Sequence, residues 1–190
     1  MKTDFLRSTR RELEMPGKFE IIRAVKEGLD RLETEIDTGA LDREYTEAIE
    51  TVLCEIGRDS FRCQVYAKDV PENKKDGGEW LYDVTWLEYE KNGRGELTDA
   101  LLVAECEWGG EQEIEYDFEK LLLARAGVRV MIFHGGVDPG ARSDLLAGKV
   151  KAFNGSSTED AWLLVAWERN GDGWRFRYFT IGSEPSAIEC

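Results

Sequence analysis

Residues 80–133 constrain the fold of this chain most, because they carry two strands, a helix and a third strand in immediate succession. The run Trp80-Leu81-Tyr82-Asp83-Val84-Thr85-Trp86-Leu87 is apolar and aromatic except for one acid, and Ala100 to Trp108 is an apolar run ending in two acids. A polar turn, Lys91-Asn92-Gly93-Arg94-Gly95, lies between them, so the two strands are expected as an antiparallel pair. A helix over 115–126 follows, Gly127 breaks it, and Val128-Arg129-Val130-Met131-Ile132-Phe133 reads as a buried strand. A strand–helix–strand order favours a right-handed crossover, with the last strand parallel to the one at 101–108.

The flanking segments complete an α/β domain. Phe19, Ile22, Val25, Leu29, Leu32 and Ile36 recur at helical spacing from Lys18 to about Asp37, after a break at Met15-Pro16-Gly17. Tyr45, Ile49, Val52, Leu53 and Ile56 form the stripe of a second helix, with Gly57 as its C-terminal signal. Phe61 to Ala67 alternates like a strand, 71–78 is a loop, and a helix is expected over Ala141 to Ala152. Ala161–Glu168 and Trp174–Ile181 form a C-terminal hairpin within 160–182. The expected class is α/β: one domain over 1–190, with a mixed central sheet flanked by helices and a flexible N-terminal segment over 1–16.

Length and composition narrow the function. A chain of 190 residues supports one domain with a substantial core. No apolar run reaches the length of a membrane span and the N-terminus lacks a signal-peptide core, so a cytoplasmic protein without a membrane partner is expected. The four cysteines, Cys54, Cys63, Cys106 and Cys190, show no metal-ligand spacing and read as reduced thiols, with Cys190 an exposed tail residue. Net charge is −14, from 25 basic against 39 acidic residues. Such a surface argues against promiscuous DNA binding, because phosphate contacts supply most of that affinity; a small basic site or a protein partner remains open.

The acids of the central stretch carry the functional argument. Side chains alternate across a strand, so Asp83 shares a face with Leu81, Thr85 and Leu87. Both faces of that strand are largely apolar, which places Asp83 at least partly inside. A buried carboxylate needs a cation, a donor or a metal. Glu105 and Glu107 share a face by the same alternation, and both reach toward Asp83 if their strands are neighbours. Mg²⁺ or Mn²⁺ prefers oxygen ligands of this kind.

This order of elements and acids resembles the PD-(D/E)XK phosphodiesterase superfamily, with residues 41–133 covering its restriction-endonuclease-like core. The resemblance implies an acid on the second core strand, Asp83, and an acid on the third, Glu105, where the motif reads Glu105-Cys106-Glu107. Glu107 stands in place of the motif's lysine; Lys120, on the following helix one turn after Asp117, supplies a migrated one. The resemblance implies Asp83, Glu105 and the Cys106 carbonyl as ligands of Mg²⁺ or Mn²⁺. Lys120 would orient the attacking water, and Glu107 would bind a second ion or accept a proton. The first core helix would add a glutamate from among Glu44, Glu47 and Glu50. The implied activity is metal-dependent hydrolysis of nucleic acid, and it requires the Lys120 amine to point inward.

Blander readings stand beside these. Asp83 as a structural acid, Glu105 and Glu107 as a solvated strand end, and Lys120 on a polar helix edge together give an acidic domain that binds a protein partner without catalysis. His134, the only histidine, precedes Gly135-Gly136 with no nucleophile motif nearby and suits a turn or cap better than a triad. Residues 135–140 lack the Walker lysine and the dinucleotide glycine spacing. The six tryptophans read as core or interface anchors, and Trp174, Phe176, Tyr178 and Phe179 would suit a homodimer contact.

Overall fold

The structure, a computed structural model, describes residues 16–36, 42–68, 80–90, 95–171 and 173–182. Two helices come first, α1 (Lys18–Glu33) and α2 (Asp42–Glu55), the second running into a π-helical turn at Ile56–Ser60. Strands β1 (Gln64–Ala67), β2 (Val84–Tyr89) and β3 (Leu97–Glu107) follow. Next come α3 (Glu111–Leu123), β4 (Val128–His134), α4 (Pro139–Ala152), β5 (Ala161–Asn170) and β6 (Gly173–Ile181).

The six strands form one mixed sheet in sequence order. β1, β2 and β3 are mutually antiparallel neighbours, β3, β4 and β5 run parallel, and β6 returns antiparallel to β5. The expected parallel pairing of the third and fourth strands is therefore present, with Glu105 opposite Met131 and Cys106 opposite Ile132. β4 is buried along almost its whole length, which explains why its sequence is an apolar run rather than an alternation. Three layers result. Ile21, Val25, Leu29, Ile49 and Leu53 of α1 and α2 pack with Val84, Ala104, Ile132 and Val165 on one face of the sheet. Ile114, Phe118 and Leu121 of α3, with Leu146 of α4, pack with Val103, Met131 and Leu164 on the other.

Several boundaries differ from expectation for identifiable reasons. α1 stops at Glu33, where the Thr34 hydroxyl donates to the Arg31 carbonyl at 2.7 Å and competes with helix continuation. Phe19 is exposed and Ile21 takes its place in the core. Gly57 does not end α2 as a C-cap; it lies inside the π-helical turn, pressed against Trp86 and Val65. α3 begins at Glu111 rather than 115, after an extended Gly110, with Glu111 and Glu113 in its first turn where acids complement the helix dipole. β2 begins at Val84, not Trp80: Leu81 adopts a left-handed conformation (φ 70°), and only an isolated bridge joins Trp80 to Tyr82. The N-terminal segment over 1–15, the loop at 71–78, the turn at 91–94 and Cys190 lie outside the described residues. No described helix is long and apolar enough to cross a membrane.

Candidate functional site

The sequence places acids at the start of β2 and near the end of β3, and antiparallel pairing of Val84 with Ala104 carries Asp83 to the level of Glu105. Asp83 sits just before β2, half-buried, rather than inside a strand face shared with Leu81. Leu81 is turned to solvent by its left-handed backbone, so the alternation expected from the sequence fails there. What holds Asp83 is the neighbouring strand: the Cys106 backbone N–H donates to Asp83 Oδ2 at 2.8 Å.

Glu105 is 1% exposed, on the sheet face that α3 covers. The Lys120 ammonium, carried by the last turns of α3, lies 2.8 Å from Glu105 Oε1 and 2.9 Å from Asp117 Oδ1. The contact with Glu105 is an ion pair at hydrogen-bond distance, onto an oxygen that is otherwise enclosed by protein. The Lys120 amine therefore turns inward, onto the carboxylate of the third strand. Burial, reinforced by the Asp83 charge and opposed by Lys120, pushes the Glu105 carboxyl up to about 8. Burial alone would lower the Lys120 ammonium, but its contacts with Glu105 and Asp117 outweigh that and raise it.

Glu107, two residues on, lies at the half-buried strand end. Its Oε1 accepts from the Gly109 N–H at 2.6 Å, and its side chain also meets Asp117. Burial raises its carboxyl, the Gly109 N–H works against that, and the contact with Asp117 raises it further. Glu107 thus stands beside the Lys120–Asp117 pair. A cavity of about 430 Å³ opens here, lined by Glu107, Gln112, Glu113, Tyr116 and Asp117.

Sequence alone left three glutamates on α2 undistinguished. Only Glu50 of the three is fully buried, at 1% exposure. One helical turn earlier, Thr46 Oγ1 accepts from Trp108 Nε1 at 2.7 Å, which ties this face of α2 to the end of β3. Burial and the charges of Asp83, Glu50, Glu105 and Asp117 together hold the Cys106 thiol well above its ordinary range.

The donor set is hard oxygen with an excess of negative charge, which suits Mg²⁺ or Mn²⁺. Among the described residues no three acid, imidazole or thiol groups converge closely enough to cage an ion unaided. Mg²⁺ sites built on one or two carboxylates fill their remaining positions with water and substrate oxygens. On that pattern Asp83, Glu105 and the Cys106 carbonyl are the groups that could hold such an ion, with Glu105 exchanging its contact with Lys120 for the metal.

His134 is the last residue of β4, paired with Trp167, rather than a turn residue. Its Nδ1 accepts from the Gly136 N–H at 3.3 Å, and its ring lies 5.9 Å from that of Trp174. Trp86, Trp162 and Trp167 are core, whereas Trp80 is 41% exposed. Within the C-terminal hairpin, Trp174 stacks on Trp167 at 5.9 Å and Phe176 packs against Trp167 at 4.5 Å. Cys54, Cys63 and Cys106 are free thiols. No family model, no characterised protein and no solved structure matches this chain.

Proposed function

We propose that this chain is a metal-dependent phosphodiesterase acting on nucleic acid, built on a restriction-endonuclease-like core of the PD-(D/E)XK kind. The observation that carries the reading is the Lys120 ammonium reaching Glu105 from α3 at 2.8 Å, beside Asp83 on the adjoining strand entry. The order α2, β1, β2, β3, α3, β4, with β3 and β4 parallel, supports it.

Asp83, Glu105 and the Cys106 carbonyl would hold the ion. A bound divalent ion lowers the pKa of its water and offsets charge on the scissile phosphate. Lys120 supplies the positive charge that the Glu107 position lacks, and orients the attacking water. Glu107, paired with Asp117 at the mouth, is placed to take up a proton. Burial takes Glu105 out of bulk solvent, and away from water its interaction with a cation is stronger.

Calorimetric titration of Mn²⁺ tests the reading without a guess at substrate. Wild type is expected to bind about one or two ions, and Asp83→Ala and Glu105→Ala to lose them. Mn²⁺-dependent cleavage of oligonucleotides should then fall at least about a hundredfold in Lys120→Met. Absence of Mn²⁺ binding, or binding unchanged in both alanine variants, would overturn the reading. It would favour an acidic interaction domain, the interpretation to which the net charge of −14 lends weight.

A further inference from the structure

A groove of about 460 Å³ is lined by Trp80, Leu81, Tyr82, Leu97, Asp99 and Arg125 among others. Tyr82 adjoins Asp83 in the chain, and Arg125 follows the helix that carries Lys120. Of the eight large apolar side chains exposed among the described residues, three (Trp80, Leu81 and Leu97) lie here, which makes a patch rather than scatter.

Backbone strain also marks the patch. Leu81 takes a φ of 70°, costing on the order of 1 kcal/mol for a side chain with a Cβ, and is 70% exposed in consequence. Strain of this kind persists where the surroundings impose it, and it clusters at ligand sites. Trp80 is braced rather than loose: its ring lies 6.2 Å from that of Tyr66, and its carbonyl accepts from the Thr85 hydroxyl at 3.0 Å. An exposed indole and an adjoining phenol offer stacking faces, and the charge of Arg125 in the lining is offset by that of Asp99.

We propose that this groove receives an unpaired nucleobase, so that the substrate is single-stranded nucleic acid whose backbone passes the Asp83–Glu105–Lys120 centre. The inference rests on the phosphodiesterase reading above. A net charge of −14 leaves little capacity for the phosphate contacts that hold a duplex. Stacking supplies affinity that needs few such contacts, and in a duplex the base faces are already occupied by their neighbours.

The test pairs two measurements on wild type, Trp80→Ala and Leu81→Gly; glycine accepts the left-handed backbone, so the second variant removes the side chain without new strain. Fluorescence anisotropy follows a labelled phosphorothioate oligothymidylate, which resists hydrolysis, and its duplex, both in Mn²⁺. Calorimetry follows Mn²⁺ alone. Wild type should bind the single strand about tenfold more tightly than the duplex, each variant should weaken single-strand binding about five- to tenfold, and Mn²⁺ affinity should not change. Equal binding of strand and duplex, no oligonucleotide binding by wild type, or variants that bind as wild type does would overturn the groove's role. So would a concentration-dependent dimer that Trp80→Ala abolishes, because a second copy would then cover the patch. Loss of Mn²⁺ binding in wild type refutes the phosphodiesterase alone; Trp80-dependent strand binding under that outcome keeps the groove as a single-strand site.

Discussion

The Lys120 ammonium meets the buried Glu105 carboxylate at 2.8 Å, across the junction between α3 and β3. Among the described residues, Lys120→Met removes the only cation paired with a carboxylate that is 1% exposed. A fully buried charge left alone costs about 3–5 kcal/mol. Here the lysine side chain is 36% exposed and Glu105 can take up a proton, so the loss should be about 1–2 kcal/mol at pH 9 and smaller at pH 6. Urea unfolding at the two pH values checks this; a pH-independent loss would show that the ion pair is not its source.

Glu105 also sets a pH dependence in the metal-free protein. Its carboxyl is held up to about 8 in the fold, first by burial and then by Asp83, against about 4.3 for an unfolded glutamate. Between those values the folded state holds the extra proton, so this group's contribution to stability is full at the acid end and declines as pH rises toward 8. Glu105→Gln mimics the protonated form and should flatten that decline. The comparison is the urea midpoint of both proteins in EDTA at pH 5.5 and 8.5; parallel slopes would assign the titration elsewhere.

What the sequence disclosed and what it hid divide along physical lines. β4, β5 and β6 were legible because long apolar or alternating runs have few alternatives once their turns are marked by glycine. The pairing of β3 with β4 followed from chain order alone. Asp83 was found for a reason that only half holds: the apolar run from Trp80 to Leu87 reads as one strand, but nothing in a leucine announces the left-handed turn at Leu81 that delays β2 to Val84. Choosing Glu50 from three glutamates on α2 needed the packing of α2 on the end of β3, a tertiary fact. Lys120 required the angular register of α3, which its apolar residues on several sides left ambiguous.

Gly57 shows the same limit in reverse. Its sequence context suggests a helix cap, but a Cβ there would lie 2.7 Å from Val65 Cγ2 and 2.9 Å from Trp86 Cε2. The Trp86 ring is buried completely and has no room to withdraw. Gly57→Ala should therefore destabilise the protein by about 1–3 kcal/mol through overpacking, despite alanine's better helix propensity. Thermal denaturation decides: an unchanged or higher midpoint would mean that the π-helical turn yields to the methyl group.

Tyr178 joins β6 to α1, donating to Asp30 Oδ1 at 2.6 Å. Burial, then the bond to Asp30 and the charges of Asp30 and Glu33, raise its phenol above the ordinary tyrosine range. The folded state therefore keeps this proton at pH values where the unfolded chain, near 10, has released it. Stability from this group is whole below about pH 10 and is lost as pH climbs beyond it. Tyr178→Phe should cost about 1 kcal/mol at pH 8 and should lessen the fall in stability between pH 9.5 and 11. Absorbance titration at 295 nm supplies the direct readout: wild type should show one late-ionising tyrosine that the variant lacks. A late phase that survives in Tyr178→Phe would place the protected phenol elsewhere, with Tyr82, also raised by burial and by Glu105, the next residue to replace.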